Sequence, residues 1–425
     1  MRSISQVRDR VEHGGGVTAA CTRQLRILHV INSTRPEGGG PIEAIRQATA
    51  AMAARGHLTE IACLDAPSDR WLADVPAKVH PLGPTRTSFR YSPQLVPWLQ
   101  AHRDNYDCAI VHGIWLFPTY GTWRALRGTS LPYFVYTHGS LDPAHRCVMP
   151  EKHAKKMLVW MSHERRVLRD ARAVFFTCEL ERDLARNSFW PALGEVDNVI
   201  VPYCVASPPG DVTRQISAFR ERFPELFGKR LVLFLSRVDP KKGADLLIRA
   251  FADVKNVDPN AHLVMAGSGE RQYEAELRAM ARGAGLDGRI TWTGMLKGDL
   301  KWGAFREADA FALISHQENY GIAVVEALGC GVPVLTTNKV NIWPIIENSR
   351  SGLIGRDNLV SARDMLSRWL TLSVAERHVC RQNARACFKV DFSVAHAADL
   401  LERTLLEHCA SDRTQHLRAE RRLTT

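Results

Sequence analysis

Short apolar runs recur along the chain, each followed by a polar or glycine-rich turn and then by a stretch with helical spacing. The first run is Arg26-Ile27-Leu28-His29-Val30-Ile31-Asn32, followed by the loop Pro36-Glu37-Gly38-Gly39-Gly40-Pro41. A helix is predicted from about Ile42 to Ala54, and Pro41 suits its first turn, where a missing N–H is harmless. Further strands are predicted at Leu58–Leu64, Cys108–His112, Tyr133–Thr137, Ala173–Thr177 and Asn198–Val201. The stretch from Pro202 to Gly228, with Ser207-Pro208-Pro209-Gly210 near its start, reads as a connection. The plan then restarts at Arg230-Leu231-Val232-Leu233-Phe234-Leu235-Ser236, with strands predicted at Leu231–Leu235, His262–Ala266, Ile290–Thr293, Ala310–Ile314 and Pro333–Thr336. Beyond Ser361 the pattern is helical to about Cys409.

Strands that alternate with helices imply α/β architecture with doubly wound parallel sheets. Two such Rossmann-like domains would face each other across a central cleft, at the strand ends where open α/β sheets bind ligands. The division that follows is an N-terminal extension over 1–24, a first domain over 25–205 and a linker region over 206–228. A second domain covers 229–395, a helix over 396–410 returns towards the first domain, and 411–425 form a basic tail.

Composition narrows the function classes. The chain has 425 residues, 45% hydrophobic and 24% charged, which is enough for two or three domains with large cores. Its 10 cysteines are scattered without a CxxC, and no histidine cluster has metal spacing, so reduced thiols are expected and a zinc site is not. Met1 to Gln24 is charged throughout and does not read as a secretory signal. No segment approaches the ~18–20 apolar residues that span a bilayer. A cytoplasmic protein follows, soluble or bound to the inner face of the membrane. Net charge of +11 and a pI near 9.3 favour anionic partners. Nucleic acid is not expected among them, because no zinc finger, basic zipper or RNP-type aromatic pattern is present. The positive charge gathers at Lys152, Lys155, Lys156, Arg165, Arg166 and Arg169, and in the tail from Arg413 to Arg422, which reads as a solvated, frayed terminus.

Several constellations carry chemistry. The turn Ser236-Arg237-Val238-Asp239-Pro240-Lys241-Lys242-Gly243 follows the first strand of the second domain. Arg237 would grip two phosphate oxygens and Lys242 would act as a compact charge, equipment for a diphosphate without a metal. An ordinary polar strand-to-helix turn would look the same. Gly321 opens a helix whose free N–H groups would attract phosphate. Glu318 precedes it in a polar stretch, whereas Glu326 lies among Ile322, Ala323, Val324, Val325, Ala327 and Leu328. Burying such a carboxylate is costly unless something pairs with it. The hydroxyls of a ribose would do so, and the amides around Asn319 to Ile322 would then face the same nucleotide. Gly267-Ser268-Gly269 lets backbone pass close to a ligand, but Gln272 breaks the dinucleotide fingerprint; Gly38-Gly39-Gly40 also lacks its spacing and no ribose-binding acid follows, which speaks against a nicotinamide dehydrogenase. His112 reads as a satisfied structural group at a strand end.

The glycine-rich loop after the first strand, Thr137-His138-Gly139, Ser236-Arg237 with Lys242-Gly243, Ala266-Gly267-Ser268-Gly269, and the pair Glu318 and Glu326 ahead of Gly331-Val332-Pro333-Val334 occur in this order. Together they resemble the family 4 retaining glycosyltransferases of the GT-B fold, over roughly residues 25 to 410. The resemblance implies that Arg237 and Lys242 hold the diphosphate of a nucleotide sugar and stabilise it as a leaving group. It places Glu326 on the ribose and Glu318, with Asn319, Tyr320, Gly321 and Ile322, near the donor sugar. Gly39 and Gly40 would let the first domain close over the diphosphate, and His138 would contact the sugar or developing charge. Gly267, Gly269 and Met295 would line the donor site around the base. Transfer would retain anomeric configuration, with no protein nucleophile, metal or cofactor. One departure is Val201-Pro202-Tyr203-Cys204-Val205, which replaces the more usual Pro-Asn-Gly before the linker.

The acceptor expected is a saccharide, lipid-linked, for surface polysaccharide or lipopolysaccharide assembly. Glu151 to Arg172 combines basic residues with Met157, Leu158, Trp160 and Met161, a mixture suited to an anionic membrane surface. A helix that packs its apolar stripe on the sheet is the plain alternative. Another GT-B enzyme, a phosphorylase or sugar-nucleotide epimerase, is the other functional reading, and an inactive sugar-nucleotide-binding protein the third.

Overall fold

The computed structural model describes residues 23–423 except 37–38, 144–149, 187 and 195, and no side chains are described at 150 or beyond 410. Residues 1–22 of the extension over 1–24, and part of the glycine-rich loop, therefore lie outside the described residues.

The apolar runs form parallel strands because they are buried on both faces, as helix-covered sheets require. In the first half, β1 (Arg26–Ile31), β2 (Leu58–Cys63), β3 (Lys78–Pro81), β4 (Cys108–His112), β5 (Tyr133–Tyr136), β6 (Ala173–Phe176) and β7 (Asn198–Ile200) pair in the order β3-β2-β1-β4-β5-β6-β7. In the second half, β8 (Arg230–Leu235), β9 (Ala261–Ala266), β10 (Ile290–Gly294), β11 (Ala308–Leu313), β12 (Val334–Thr337) and β13 (Gly352–Gly355) take the order β10-β9-β8-β11-β12-β13. Both sheets reverse direction of strand addition beside their first strand, and a crevice opens at that point. The protein thus has two Rossmann-like domains, each built on a doubly wound parallel sheet.

Two edge strands were not predicted. Lys78–Pro81 is short and mixed in polarity, and Gly352–Gly355 has glycine at both ends; neither has the apolar pattern of a strand. Their pairing with β2 and β12 makes them strands. The region 206–228, expected as a linker, contains the helix Val212–Arg222, with Gln215 and Phe219 buried. It packs into the second domain: the backbone of Gly303, on the helix Gly298–Glu307, sits so close to Gln215 and Phe219 that no side chain would fit there.

The C-terminal helix Val394–Leu423 crosses back to the first domain. Its Ala397, Ala398, Leu401 and Leu405 are buried with Ile27, Phe134 and Phe175 of the first sheet. Arg55 reaches Asp399 at 2.6 Å, and His57 meets Glu402 at 2.9 Å. The backbone of the basic stretch Arg413–Arg422, expected to fray, continues this helix.

Candidate functional site

A cavity of about 420 Å³ lies between the two sheets at the carboxyl ends of β8 and β11, and residues of the first domain close its other side. Twelve of the expected site residues line it: His138, Glu318, Arg237, Lys242, Gly39, Gly40, Gly267, Met295, Asn319, Tyr320, Gly321 and Ile322.

The second domain supplies the charged wall. Asp239 caps the turn Pro240–Lys242 through the Lys241 N–H at 2.9 Å, which directs the loop after β8 into the cleft. Arg237 is exposed there and has no hydrogen-bond or ion-pair partner among the described residues. Lys242 is largely buried and donates to Glu318 Oε2. The Glu318 backbone is pinned from both sides, its N–H donating to Lys339 O at 2.9 Å and its carbonyl accepting from Asn341 N at 3.0 Å. Gly321 adopts φ 72°, which favours glycine, and from it the helix Ile322–Gly329 points its first amides at the cavity. A Cβ on Gly267 would stand 1.8 Å from Ser236 O, so that backbone contact excludes every other residue. Met295 is 52% exposed at the same end.

Two expected donor-site residues do not line the cavity. Gly269 pairs with Val238, and its N–H donates to Glu274 Oε1 at 2.5 Å. Glu326 binds Lys301 Nζ through Oε1 at 2.6 Å. The ammonium supplies the partner that the apolar sequence around Glu326 calls for; burial still raises the carboxyl above its usual range, with Lys301 acting against that rise. Two others have side chains engaged by protein partners. Tyr320 is buried, its ring 4.9 Å from that of Tyr203 and 6.0 Å from that of Phe392. Asn319 turns its amide across the cleft, donating to Thr177 Oγ1 at 3.1 Å and Glu181 Oε2 at 3.2 Å.

Glu181 is absent from the sequence reading. Buried at the start of the helix Glu179–Ala185, it accepts from Thr137 Oγ1 at 2.7 Å, Gly139 N at 2.6 Å, Thr177 N at 2.7 Å and Thr177 Oγ1 at 2.6 Å. This one carboxylate holds the turn around His138, which has φ 49°, and ties it to Asn319 of the other domain. A carboxylate at the third position of a helix, four residues after a threonine at a strand end, is the signal that would have found it.

His138 sits in a second network. Its Nδ1 lies 2.5 Å from the Tyr203 hydroxyl and its Nε2 3.2 Å from His112 Nδ1, while His112 Nε2 lies 2.8 Å from His29 Nδ1. Burial lowers His29 to about 4 and His138 to about 3, and holds His112 well below its ordinary value, with its two histidine neighbours adding to the effect. All three are neutral at pH 7. Between pH 6.5 and about 4 the unfolded chain binds a proton at His29 that the folded chain refuses, so this contribution to stability is lost as pH falls through that window. Glu164, raised to about 7 by burial, acts in the opposite sense as pH rises, as do Glu326 and Asp391, but these three carboxyls stand against five histidines held below their ordinary value, His163 and His262 with the three of the network. Thermal denaturation is therefore expected to show Tm falling from pH 7 to 4.5. His29→Asn should flatten that slope by up to about 1.4 kcal/mol per pH unit.

The helix Pro150–Val159, which continues through a wide turn at Trp160–Glu164, divides its apolar residues. Trp160 is buried, whereas Leu158 is 71% and Met161 56% exposed beside the basic residues. Lys156 lies over the Trp115 ring at 5.1 Å, and its ammonium is pushed below its usual range by burial, Lys241 and Lys152. Among the described residues no helix is long and apolar enough to cross a membrane, and no group of three acidic, histidine or cysteine side chains would hold a metal ion.

Two family profiles match. The profile for glycosyl transferases group 1 covers residues 216–386, and that for the glycosyl transferase 4-like domain covers residues 39–203. Among curated proteins, mannosylfructose-phosphate synthase of Agrobacterium fabrum is 32% identical over 34% of this chain and 33% of its own length. A D-inositol 3-phosphate glycosyltransferase of Rhodococcus jostii is 29% identical over 35% of each chain. The chain spans about a third of the length of the curated relatives it matches. Among solved structures, HepE of Anabaena in complex with UDP and glucose superposes with a TM-score of 0.69 at 17% identity, covering 90% of this chain and 99% of that one. Sucrose-phosphate synthase of Thermosynechococcus elongatus gives 0.72 at 18% identity, covering 92% and 100%. At such identities the superpositions show the fold.

Proposed function

The chain belongs to the family 4 GT-B glycosyltransferases, and from that premise we propose that it moves a sugar from a nucleotide-diphosphate sugar to a saccharide acceptor. The observation that carries this reading is the convergence of Arg237, Lys242 and the open end of the Ile322–Gly329 helix on one cavity. Two cations and a row of amides match a diphosphate in charge and hydrogen-bond geometry. They would also stabilise that group as it departs, a task for which the site needs neither a metal nor a cofactor. Glu318 faces the sugar, and transfer proceeds with retention. Glu326 would take a ribose hydroxyl on its carboxylate beside Lys301, and Met295 with Gly267 would flank the base.

The protein works at the cytoplasmic side. Two observations bear on the acceptor. Exposed Leu158 and Met161 beside Lys152 and Lys155 favour a lipid-linked saccharide of surface polysaccharide or lipopolysaccharide assembly, presented at an anionic membrane. Lys156, half-buried near Lys241 of the other domain, favours instead a small phosphorylated acceptor, the kind that the name of the D-inositol 3-phosphate glycosyltransferase gives.

The test is a thermal-shift panel of UDP-, GDP- and ADP-sugars followed by product analysis. One nucleotide sugar is expected to raise Tm in a concentration-dependent way, and its sugar to appear on the acceptor with unchanged anomeric configuration. Inversion, or binding without transfer to any saccharide, would overturn the reading. Charge reversal at Lys155, Lys156 and Arg165 decides the acceptor: it abolishes sedimentation with anionic liposomes only if the acceptor is membrane-borne.

A further inference from the structure

Three imidazoles and a phenol form one hydrogen-bonded file from within the first domain to the cleft. His29 stands on β1, His112 ends β4, His138 follows β5 and Tyr203 follows β7. Because β1, β4 and β5 are neighbours in the sheet, the three rings lie side by side, with His112 and His138 stacked at 5.3 Å between centroids. The contacts are His29 Nδ1 to His112 Nε2 at 2.8 Å, His112 Nδ1 to His138 Nε2 at 3.2 Å, and His138 Nδ1 to Tyr203 Oη at 2.5 Å.

A neutral imidazole has one N–H and one bare nitrogen. All three bonds can therefore form in only two ways. Either every ring is the Nδ1–H tautomer and the file donates towards Tyr203, or every ring is Nε2–H and Tyr203 gives its proton to His138. The far end separates them. His29 Nε2 has no hydrogen-bond partner among the described groups. In the second arrangement that atom is a buried N–H without an acceptor, the rarer and costlier defect, whereas in the first it is an unused lone pair. The first arrangement also leaves the Tyr203 proton free, and Tyr203 lines the cavity.

We propose that Tyr203 is a ligand-contacting residue of this site: its hydroxyl accepts from His138 Nδ1–H and donates to an oxygen of the sugar carried by the nucleotide. His29 and His112 are the positioning residues that set this direction. The assignment rests on the nucleotide-sugar reading above. The sugar is favoured over the diphosphate because Arg237 and Lys242 reach the cavity from the second domain, whereas Tyr203 and His138 belong to the opposite wall. A file of neutral rings ending in a phenol brings no charge to that wall and matches a neutral hydroxyl. It also changes the part of His138, both of whose ring nitrogens are turned to protein partners.

Tyr203→Phe keeps the ring against Tyr320 and removes only the hydroxyl. Calorimetric titration of wild type and variant uses UDP and UDP-glucose, or the corresponding pair that the panel ranks first. The variant is expected to bind the nucleotide sugar about 3- to 10-fold more weakly, one neutral hydrogen bond, and the nucleoside diphosphate as wild type does. In histidine-labelled wild-type protein with nucleotide sugar bound, ¹⁵N spectra are expected to show His29, His112 and His138 as Nδ1–H tautomers, a signature that a merely structural role for the file would not fix. Unchanged binding of both ligands, an equal loss for both, or Nε2–H tautomers would overturn the assignment. Wild type that binds no nucleotide sugar is a separate result, and it refutes the donor reading itself.

Discussion

Arg237→Ala is expected to lower kcat/KM by about 10²- to 10³-fold while leaving Tm essentially where it was, the cost typical of losing one pre-organised donor to developing charge. Stability is untouched because the guanidinium is exposed and has no partner among the described residues; surface changes of this kind shift stability by less than about 0.5 kcal/mol. Lys242→Ala should cost similar turnover but for two reasons that can be separated. It removes a cation from the diphosphate, and it leaves Glu318 without the ammonium that it accepts from. Lys242→Ala combined with Glu318→Gln removes the stranded charge, so the pair should regain stability relative to Lys242→Ala alone without regaining turnover. Steady-state kinetics and thermal denaturation of the two single variants and the double give the coupling directly. Wild-type turnover in Arg237→Ala would sink the diphosphate assignment, whatever Lys242 does.

Much of this site was legible because its residues lie where a strand ends. Arg237, Lys242, Gly267 and Glu318 each follow an apolar run that can only be a buried strand, and doubly wound topology carries such positions to one crevice. The same logic predicted eleven of the strands but neither edge strand, since Lys78–Pro81 and Gly352–Gly355 are extended through pairing rather than through their own pattern. What stayed illegible is set by distance across the fold. Glu181 meets Thr137 at a sequence separation of 44, Tyr203 meets His138 at 65, and His29 meets His112 at 83. No local spacing encodes these meetings. The sequence marked Tyr203 only as a departure before the linker, yet the structure puts its hydroxyl against His138. Glu326 shows the converse: the need for a partner could be read from its apolar neighbours, but not that Lys301, 25 residues away, meets it.

Glu181 is where fold and site depend on one group, and Glu181→Ala should damage both. The carboxylate is 3% exposed and takes hydrogen bonds from two hydroxyls, two backbone amides and the Asn319 side chain. Its removal leaves buried donors facing a small void. Hydrogen bonds to a charged acceptor contribute about 1.5–3 kcal/mol each and do not add, so a loss of roughly 3–5 kcal/mol is expected, the scale seen when one member of a buried charged pair is deleted. At about 2–4 °C per kcal/mol, Tm should fall by roughly 6–20 °C. Turnover should fall in the protein that remains folded, because Gly139 and Asn319 lose their common anchor and His138 is held at φ 49° by that turn. Glu181→Gln separates shape from charge. The amide fills the same space, but its NH₂ would face a donor, since both carboxylate oxygens accept in the native structure. Gln should therefore resemble Ala in activity and recover only part of the lost stability. A Gln variant with wild-type Tm and kcat would mean that packing alone holds the two domains in register. The position of Asn319, donating to Thr177 and Glu181 at once, argues that hydrogen bonding does.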